Sequence, residues 1–416
     1  MNIILNEKER VAIMTLVKKM QHLFIFVLLI NLLVGCVKNM PEDEIEVPQQ
    51  KEIKLPKEQK IDAYPRPSVW NREKPTTIDD VIDTVGRFDL RGYDLSDLNL
   101  TNVMLDRFMF DTQTKWPSIL PAGFELDKII EFGKQPGLSI ETLHQLGFTG
   151  NGVNVGIIDG RLLVDHQEFK ENIAIYEEIG DMEGPAHYHG TPITSILFGN
   201  TVGVAPDANI YYIAYLADGE PARPDRLAQA IHRMIEINRE LPEGEKIRVV
   251  SISSGWNPND EQGASVSEAV ELAKQENMFI ISARMYESDG LYFGGLDRLP
   301  KSDPNDIKSY SVNSYLDVYD TADDILMTPK DGRWMASPIG KDEYTMNSSG
   351  AWSMVIPYLS GVYALACEAN PSITPTLFWQ TAMTTGDTIN SDVLNPSFHG
   401  KNVKMINPVK LIQALK

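Results

Sequence analysis

From Gly152 onward the chain alternates between two rhythms of apolar residues. "VNVGIID" is a short, nearly continuous apolar run, the pattern of a strand buried on both faces of a parallel sheet. "HGTPITSILFG" then carries Ile193, Ile196 and Leu197 on one side of a predicted helix. The order continues with "NIYYIAYL" as a strand, "DRLAQAIHRMIEINRE" as an amphipathic helix and "KIRVVSIS" as a strand. "SVSEAVELAKQE" predicts a helix and "NMFIISA" a strand. Strands alternating with helices predict an α/β fold with a central parallel sheet and helices on both faces. In such sheets ligands bind beyond the carboxyl ends of the strands.

The pattern before Gly152 differs. Residues 117–150 hold two helical stretches, "ILPAGFELDKIIEFGKQPG" and "SIETLHQLGFTGNG", each stopping at glycine. Residues 88–112 repeat with a period of five, "FDLRG YDLSD LNLTN VMLDR FMFDT", centred on Leu90, Leu95, Leu100, Leu105 and Phe110. That period resembles pentapeptide repeats, whose central apolar residues stack inside a square β-helix. A chance alternation in a strand and loop is the other reading of the same residues. Residues 37–76 show no apolar period and carry prolines at 41, 48, 56, 65, 67 and 75, which predicts a disordered stalk.

The segment "VKKMQHLFIFVLLINLLVGC" joins two lysines, an apolar run and a small residue before Cys36. A basic start, an apolar middle and a small-residue end describe a secretory signal. "LVGC" resembles the lipobox of bacterial lipoproteins, which implies lipid attachment at Cys36 and a location on the outer face of the cell membrane. An uncleaved membrane anchor is the alternative, and either one puts the rest of the chain outside the cytoplasm. The expected organisation is therefore a lipoprotein signal at 1–36, a stalk at 37–76, an extension at 77–135 with the five-residue period, and a catalytic domain at 136–416.

Composition narrows the function. The chain has 416 residues, 43% of them hydrophobic, and a formal charge of −20. A basic surface for nucleic acid is not expected. Two cysteines do not make a disulfide scaffold, and Cys367 in "VYALACEA" reads as core.

Three residues carry candidate chemistry. Asp159 ends the strand "VNVGIID", although an aspartate before Gly160 also suits a simple turn. His189 opens the helix "HGTPITSILFG", where a cap or a surface position would serve equally. Ser353 precedes "PYLSGVYALACEA", whose Pro357 suits a first helical turn. Serine needs a histidine to take its proton and a carboxylate to orient that histidine. Backbone N–H groups at a helix start can hold the developing oxyanion.

These segments, taken together, resemble the subtilisin-like serine proteases (subtilases) over roughly residues 145–390. The order Asp, His, Ser is that family's order. "GVNVGIIDGRLLVDHQEF", "HGT" at 189–191, "VGVAPDANIYYIAYL", "VVSISSGW", "ILMTPKDG" and "SMVIP" each resemble a family motif in sequence. The resemblance implies a three-layer subtilisin-like fold and an Asp159–His189–Ser353 triad. It also implies a substrate-lining strand at Ser253, Ser254 and Gly255, and an oxyanion donor from the Ser353 backbone. A protein or peptide is the implied substrate.

The departures are specific. Gly350-Ala351-Trp352 precedes the serine where Gly-Thr is usual, Tyr188 replaces a glycine, Pro192 replaces a histidine, and Gly160 stands where Ser or Thr is common. The family's oxyanion asparagine has no counterpart. "FIISARMYES" puts Met285 or a neighbour at that place, with Arg284 and Tyr286 as the nearby polar residues. A membrane-anchored serine endopeptidase is the first expectation, and a catalytically impaired peptide-binding lipoprotein on the same scaffold is the alternative. No cofactor is expected. Family members often bind calcium, but no ligand spacing for calcium or zinc is present.

Overall fold

The structure is a computed structural model that describes residues 60–64, 75–83, 86–105, 107–312, 322–389 and 401–416. The signal at 1–36, Cys36 and most of the expected stalk lie outside the described residues.

In chain order the elements are β1 (Phe88–Asp89), β2 (Phe108–Asp111), α1 (Leu126–Lys134), α2 (Ile140–Gln145), β3 (Asn154–Gly160) and β4 (Ile173–Glu178). Next come α3 (Gly190–Phe198), β5 (Asn209–Leu216), α4 (Pro224–Glu240), β6 (Ile247–Ile252), α5 (Glu261–Gln275), β7 (Phe279–Ser282), α6 (Met285–Asp289), β8 (Tyr292–Arg298) and β9 (Tyr310–Ser311). The last third holds β10 (Asp324–Pro329), β11 (Arg333–Ala336), β12 (Tyr344–Asn347), α7 (Trp352–Ala369), α8 (Pro375–Thr385), β13 (Asp387–Thr388), β14 (Asn402–Met405) and α9 (Pro408–Leu415).

The central sheet has the order β4-β5-β3-β6-β7, and every pair in it is parallel. Its middle strand β3 is buried along its whole length, as an apolar run without alternation requires. Helices α3 and α7 pack on one another, and α7 lies against β6. Helix α7 is buried from Met354 to Cys367, so it is a core helix. Because α7 begins at Trp352, Pro357 is its sixth residue and lies inside the helix, where the sequence reading had placed it in the first turn. A proline there has no N–H for the carbonyl four residues back, which is the carbonyl of Ser353. The Ser253 hydroxyl, just past β6, donates to that carbonyl at 3.1 Å instead.

The period of five has a structural counterpart. Leu90, Leu95, Leu100 and Phe110 are buried in one cluster with Trp334 and Met346, and Leu105 packs partly against it. A turn follows each leucine: Tyr93 N donates to Leu90 O, Leu98 N to Leu95 O and Val103 N to Leu100 O. Short strands in the first and last units of the repeat, β1 and β2, join β12 and β11 in a separate sheet of order β1-β2-β12-β11. In it β2 runs antiparallel to β12, with Phe110 opposite Met346. The extension thus shares a sheet with residues 333–347.

One part of the expected stalk is ordered. Ile61 is buried in the main core, Asp62 O accepts from Ala186 N at 2.9 Å, and Tyr64 N donates to Pro338 O at 2.8 Å. An apolar residue and main-chain bonds tie this stretch down between two proline-rich runs.

Leu95 is fully buried and holds the extension together. Leu95→Ala should cost about 2–5 kcal/mol, read as a lower midpoint in urea unfolding.

Candidate active site

The site is assembled at the carboxyl rim of the central sheet. Asp159 is the penultimate residue of strand β3 and is buried. Its Oδ1 accepts from Gly160 N at 2.7 Å and is 2.8 Å from His189 Nδ1. The carboxylate therefore fixes the tautomer of His189, with the proton on Nδ1 and Nε2 left as the base. His189 is the residue just before α3, and its side chain is a quarter exposed. Burial disfavours its cation, but the charge of Asp159 and the bond to it outweigh this, so its pKa is raised above the ordinary histidine value.

Ser353 is the second residue of α7, next to the end of β6. Its N–H makes no hydrogen bond among the described residues, as expected of the first turn of a helix. The hydroxyl is 3.4 Å from Ser253 O and makes no hydrogen bond to His189. Ser253 and Ser353 are thus linked twice, once through each hydroxyl. Asp159, His189 and Ser353 come from three elements that meet at one rim, with the Asp–His bond made and the serine hydroxyl turned toward the neighbouring strand.

The segment Ser253–Gly255 leaves β6 beside the serine. Ser253 is buried, Ser254 half-buried and Gly255 exposed. Tyr215, at the end of β5, donates its hydroxyl to Ser254 Oγ at 3.1 Å. Ser254 O accepts from Ala283 N at 3.3 Å, which carries the β6–β7 pairing one residue further.

The residues that align with the family's asparagine are Met285 and its neighbours Arg284 and Tyr286. Met285 is fully buried in the main core and presents nothing to the rim. The side chain of Arg284 lies over Gly255: a Cβ at Gly255 would be 3.5 Å from Arg284 Cγ and 3.8 Å from Cδ. Tyr286 packs partly against the core, with its ring 6.1 Å from that of Tyr292.

Two contributors escaped the sequence reading. His187 is buried, and its Nδ1 accepts from His189 N at 3.1 Å. Its ring sits on Gly160, where a Cβ would lie 2.5 Å away. That contact explains glycine in place of Ser or Thr after the aspartate, and the glycine was the signal available. The second is Asp331, whose Oδ1 accepts from Gly350 N at 2.6 Å and is 2.8 Å from Lys330 Nζ. Lys330 is also paired with Asp297. A buried ion cluster thus holds the turn before Ser353. Among the described residues no group of three His, Cys, Asp or Glu could hold a metal, and no helix is long and apolar enough to cross a membrane.

Comparison with known proteins agrees with this geometry. Residues 150–293 match the model of the Subtilase family. The minor extracellular protease Vpr of Bacillus subtilis (strain 168) is 24% identical over 164 residues, which are 36% of this chain and 19% of that protein. The chain thus aligns with about a fifth of that relative's length. The structure of the prenylagaramide maturation protease PagA is similar with a TM-score of 0.51 and 19% identity, over 67% of this chain and 98% of that one. The fold is subtilisin-like, as the sequence motifs implied.

Burial holds the pKa of His187 and of His166 below the ordinary histidine value, so the folded protein resists protonating them. The unfolded chain binds those protons first. Their penalty is absent above the unfolded value of about 6.5 and grows as pH falls through it. His189 acts in the opposite sense, since its raised pKa favours the folded state below that value. Differential calorimetry should show a lower Tm at pH 5.5 than at pH 7.5, with a smaller loss in His187→Asn.

Proposed function

We propose that this subtilisin-like chain is a serine-type endopeptidase acting outside the cytoplasm through Asp159, His189 and Ser353. The observation that carries the reading is the 2.8 Å contact between Asp159 and His189, made where Ser353 enters α7. In the proposed reaction Ser353 Oγ rotates off Ser253 O toward His189 Nε2. It attacks the scissile carbonyl while His189 takes its proton, and His189 then returns that proton to the leaving amine. Asp159 stabilises the imidazolium. The Ser353 N–H, at the positive end of α7, faces the developing oxyanion. Ser253, Ser254 and Gly255 bind the extended substrate backbone by strand addition. Without a side-chain donor in place of the asparagine, turnover is expected to be lower by on the order of 10²–10³ than with one.

Lipid attachment at Cys36 would hold the enzyme on the outer face of the membrane, with residues between the anchor and Ile61 as the tether. The support is the order of Lys18-Lys19, the apolar run and Leu33-Val34-Gly35-Cys36. Neither nucleic acid nor a cofactor enters the proposal, and calcium has no motif to support it.

A second reading keeps the scaffold and drops the chemistry: a peptide-binding lipoprotein. Its support is the serine hydroxyl bonded to Ser253 O, together with Met285 in the core. Peptide affinity without cleavage, unchanged in Ser353→Ala, would favour it.

A fluorophosphonate should label Ser353 in the wild type and fail on Ser353→Ala. Asp159→Asn should lower kcat on the order of 10⁴-fold by giving His189 the wrong tautomer. The acid limb of kcat/KM should lie above the ordinary histidine value, because His189 must be neutral to act. For the anchor, metabolic labelling with a radioactive fatty acid should mark the wild type and not Cys36→Ala.

A further inference from the structure

Strands β6 and β7 are neighbours, with Ile252 opposite Ser282. The bond from Ala283 N to Ser254 O extends that pairing by one residue. The next two residues, Gly255 and Arg284, therefore stand side by side at the rim. The aliphatic stem of Arg284 runs beside Gly255, at ordinary contact distance from where a side-chain Cβ would stand there. The Arg284 Nε is buried, and its backbone N–H is held by Ser282 Oγ at 3.2 Å. The stem is therefore fixed between two strand ends and does not swing in solvent. A cation held this way sits beside the segment that would carry the substrate.

Its place along that segment is also set. Ser253 is tied to Ser353 by two hydrogen bonds, so the nucleophile marks the Ser253 end. Gly255 lies two residues further, about 7 Å at the rise of an extended chain. A peptide laid on Ser253–Gly255 with its scissile carbonyl at Ser353 brings one side chain toward Gly255 and Arg284.

We propose that Arg284 selects substrates with Asp or Glu immediately N-terminal to the scissile bond. This rests on the endopeptidase reading and adds the substrate class to it. A guanidinium offers five N–H donors in a plane, which suits two oxygens of a carboxylate. An incoming carboxylate would share those donors with the partners Arg284 already has in the protein. Asp289, at the end of the short helix that follows Arg284, is already paired with Lys274 at 2.7 Å. A neutral or basic side chain at this position would desolvate the guanidinium with nothing in return.

The test begins with a proteome-derived peptide library digested by the wild type, with cleavage sites mapped by mass spectrometry. Matched fluorogenic peptides follow, with Glu, Asp, Gln, Leu or Lys before the bond. Glu should exceed Gln in kcat/KM on the order of 10–100-fold, as a charge-assisted hydrogen bond allows. Arg284→Met should bring that ratio close to one. Arg284→Lys should keep part of it, and Arg284→Glu should favour the Lys peptide. Equal use of Glu and Gln by the wild type overturns the proposal, as does an equal loss on all five peptides in Arg284→Met and Arg284→Lys. Fluorophosphonate labelling of the wild type separates the two levels. Labelled protein without acidic preference sinks the specificity alone, and unlabelled protein sinks the hydrolytic reading with it.

Discussion

The joint between β6 and α7 is the constraint on which the site depends. Pro357 removes the helical donor for the Ser353 carbonyl, and a buried carbonyl without a partner is costly. The Ser253 hydroxyl supplies the missing bond at 3.1 Å. One proline inside a core helix thus goes with a bond that ties the Ser353 backbone to the end of β6. The helix cannot shift along its axis without breaking that bond, and Ser253 cannot move without freeing the carbonyl. The returning bond from Ser353 Oγ to Ser253 O, at 3.4 Å, is long and weak by comparison. The backbone link is firm, and the Ser353 hydroxyl is lightly held.

Around that joint the rim is stiffened from two further sides. On one, His187 accepts the backbone N–H of His189 while its ring covers Gly160, so the ends of β3 and the start of α3 are pressed together. On the other, Asp331 accepts the N–H of Gly350 and is itself paired with a buried lysine. Burial raises the pKa of Asp331, and Lys330 opposes that shift. A buried lysine between two carboxylates gains little net stability after desolvation. Its effect is directional, because it keeps an acceptor aimed at the turn before Ser353.

How much of this could be read in the chain depends on the range of the interaction. The strands β3, β5, β6 and β7 were legible because a strand buried on both faces must be apolar throughout, and that pattern is local. Asp159, His189 and Ser353 stood out as candidates because each lies at or beside the end of such an element. Helix α7 was misjudged at its start: the motif pointed to a proline in the first turn, but Trp352 begins the helix. The proline's lost bond is repaired by Ser253, a hundred residues away, and no local pattern shows that. Alignment put Met285 or a neighbour at the family's asparagine position but said nothing of its side chain, and an apolar side chain after a buried strand goes to the core. His187 could have been inferred only by asking why Gly160 lacks a side chain.

The five-residue period posed a different problem, because its buried leucines were visible while their purpose was not. The purpose follows from the strand after them. Phe108 N donates to Ser348 Oγ at 2.6 Å, and Ser348 N donates to Phe108 O at 3.0 Å. Those two bonds close the β2–β12 pairing five residues before Ser353. The turn before Ser353 is therefore braced both by Asp331 and by the extension. An enzyme must hold its reacting groups within a fraction of an ångström, and loops alone do this poorly. A turn one residue longer than the family's usual one has more freedom to lose. The buried leucines of the extension, through the strand that follows them, supply a rigid edge that removes it.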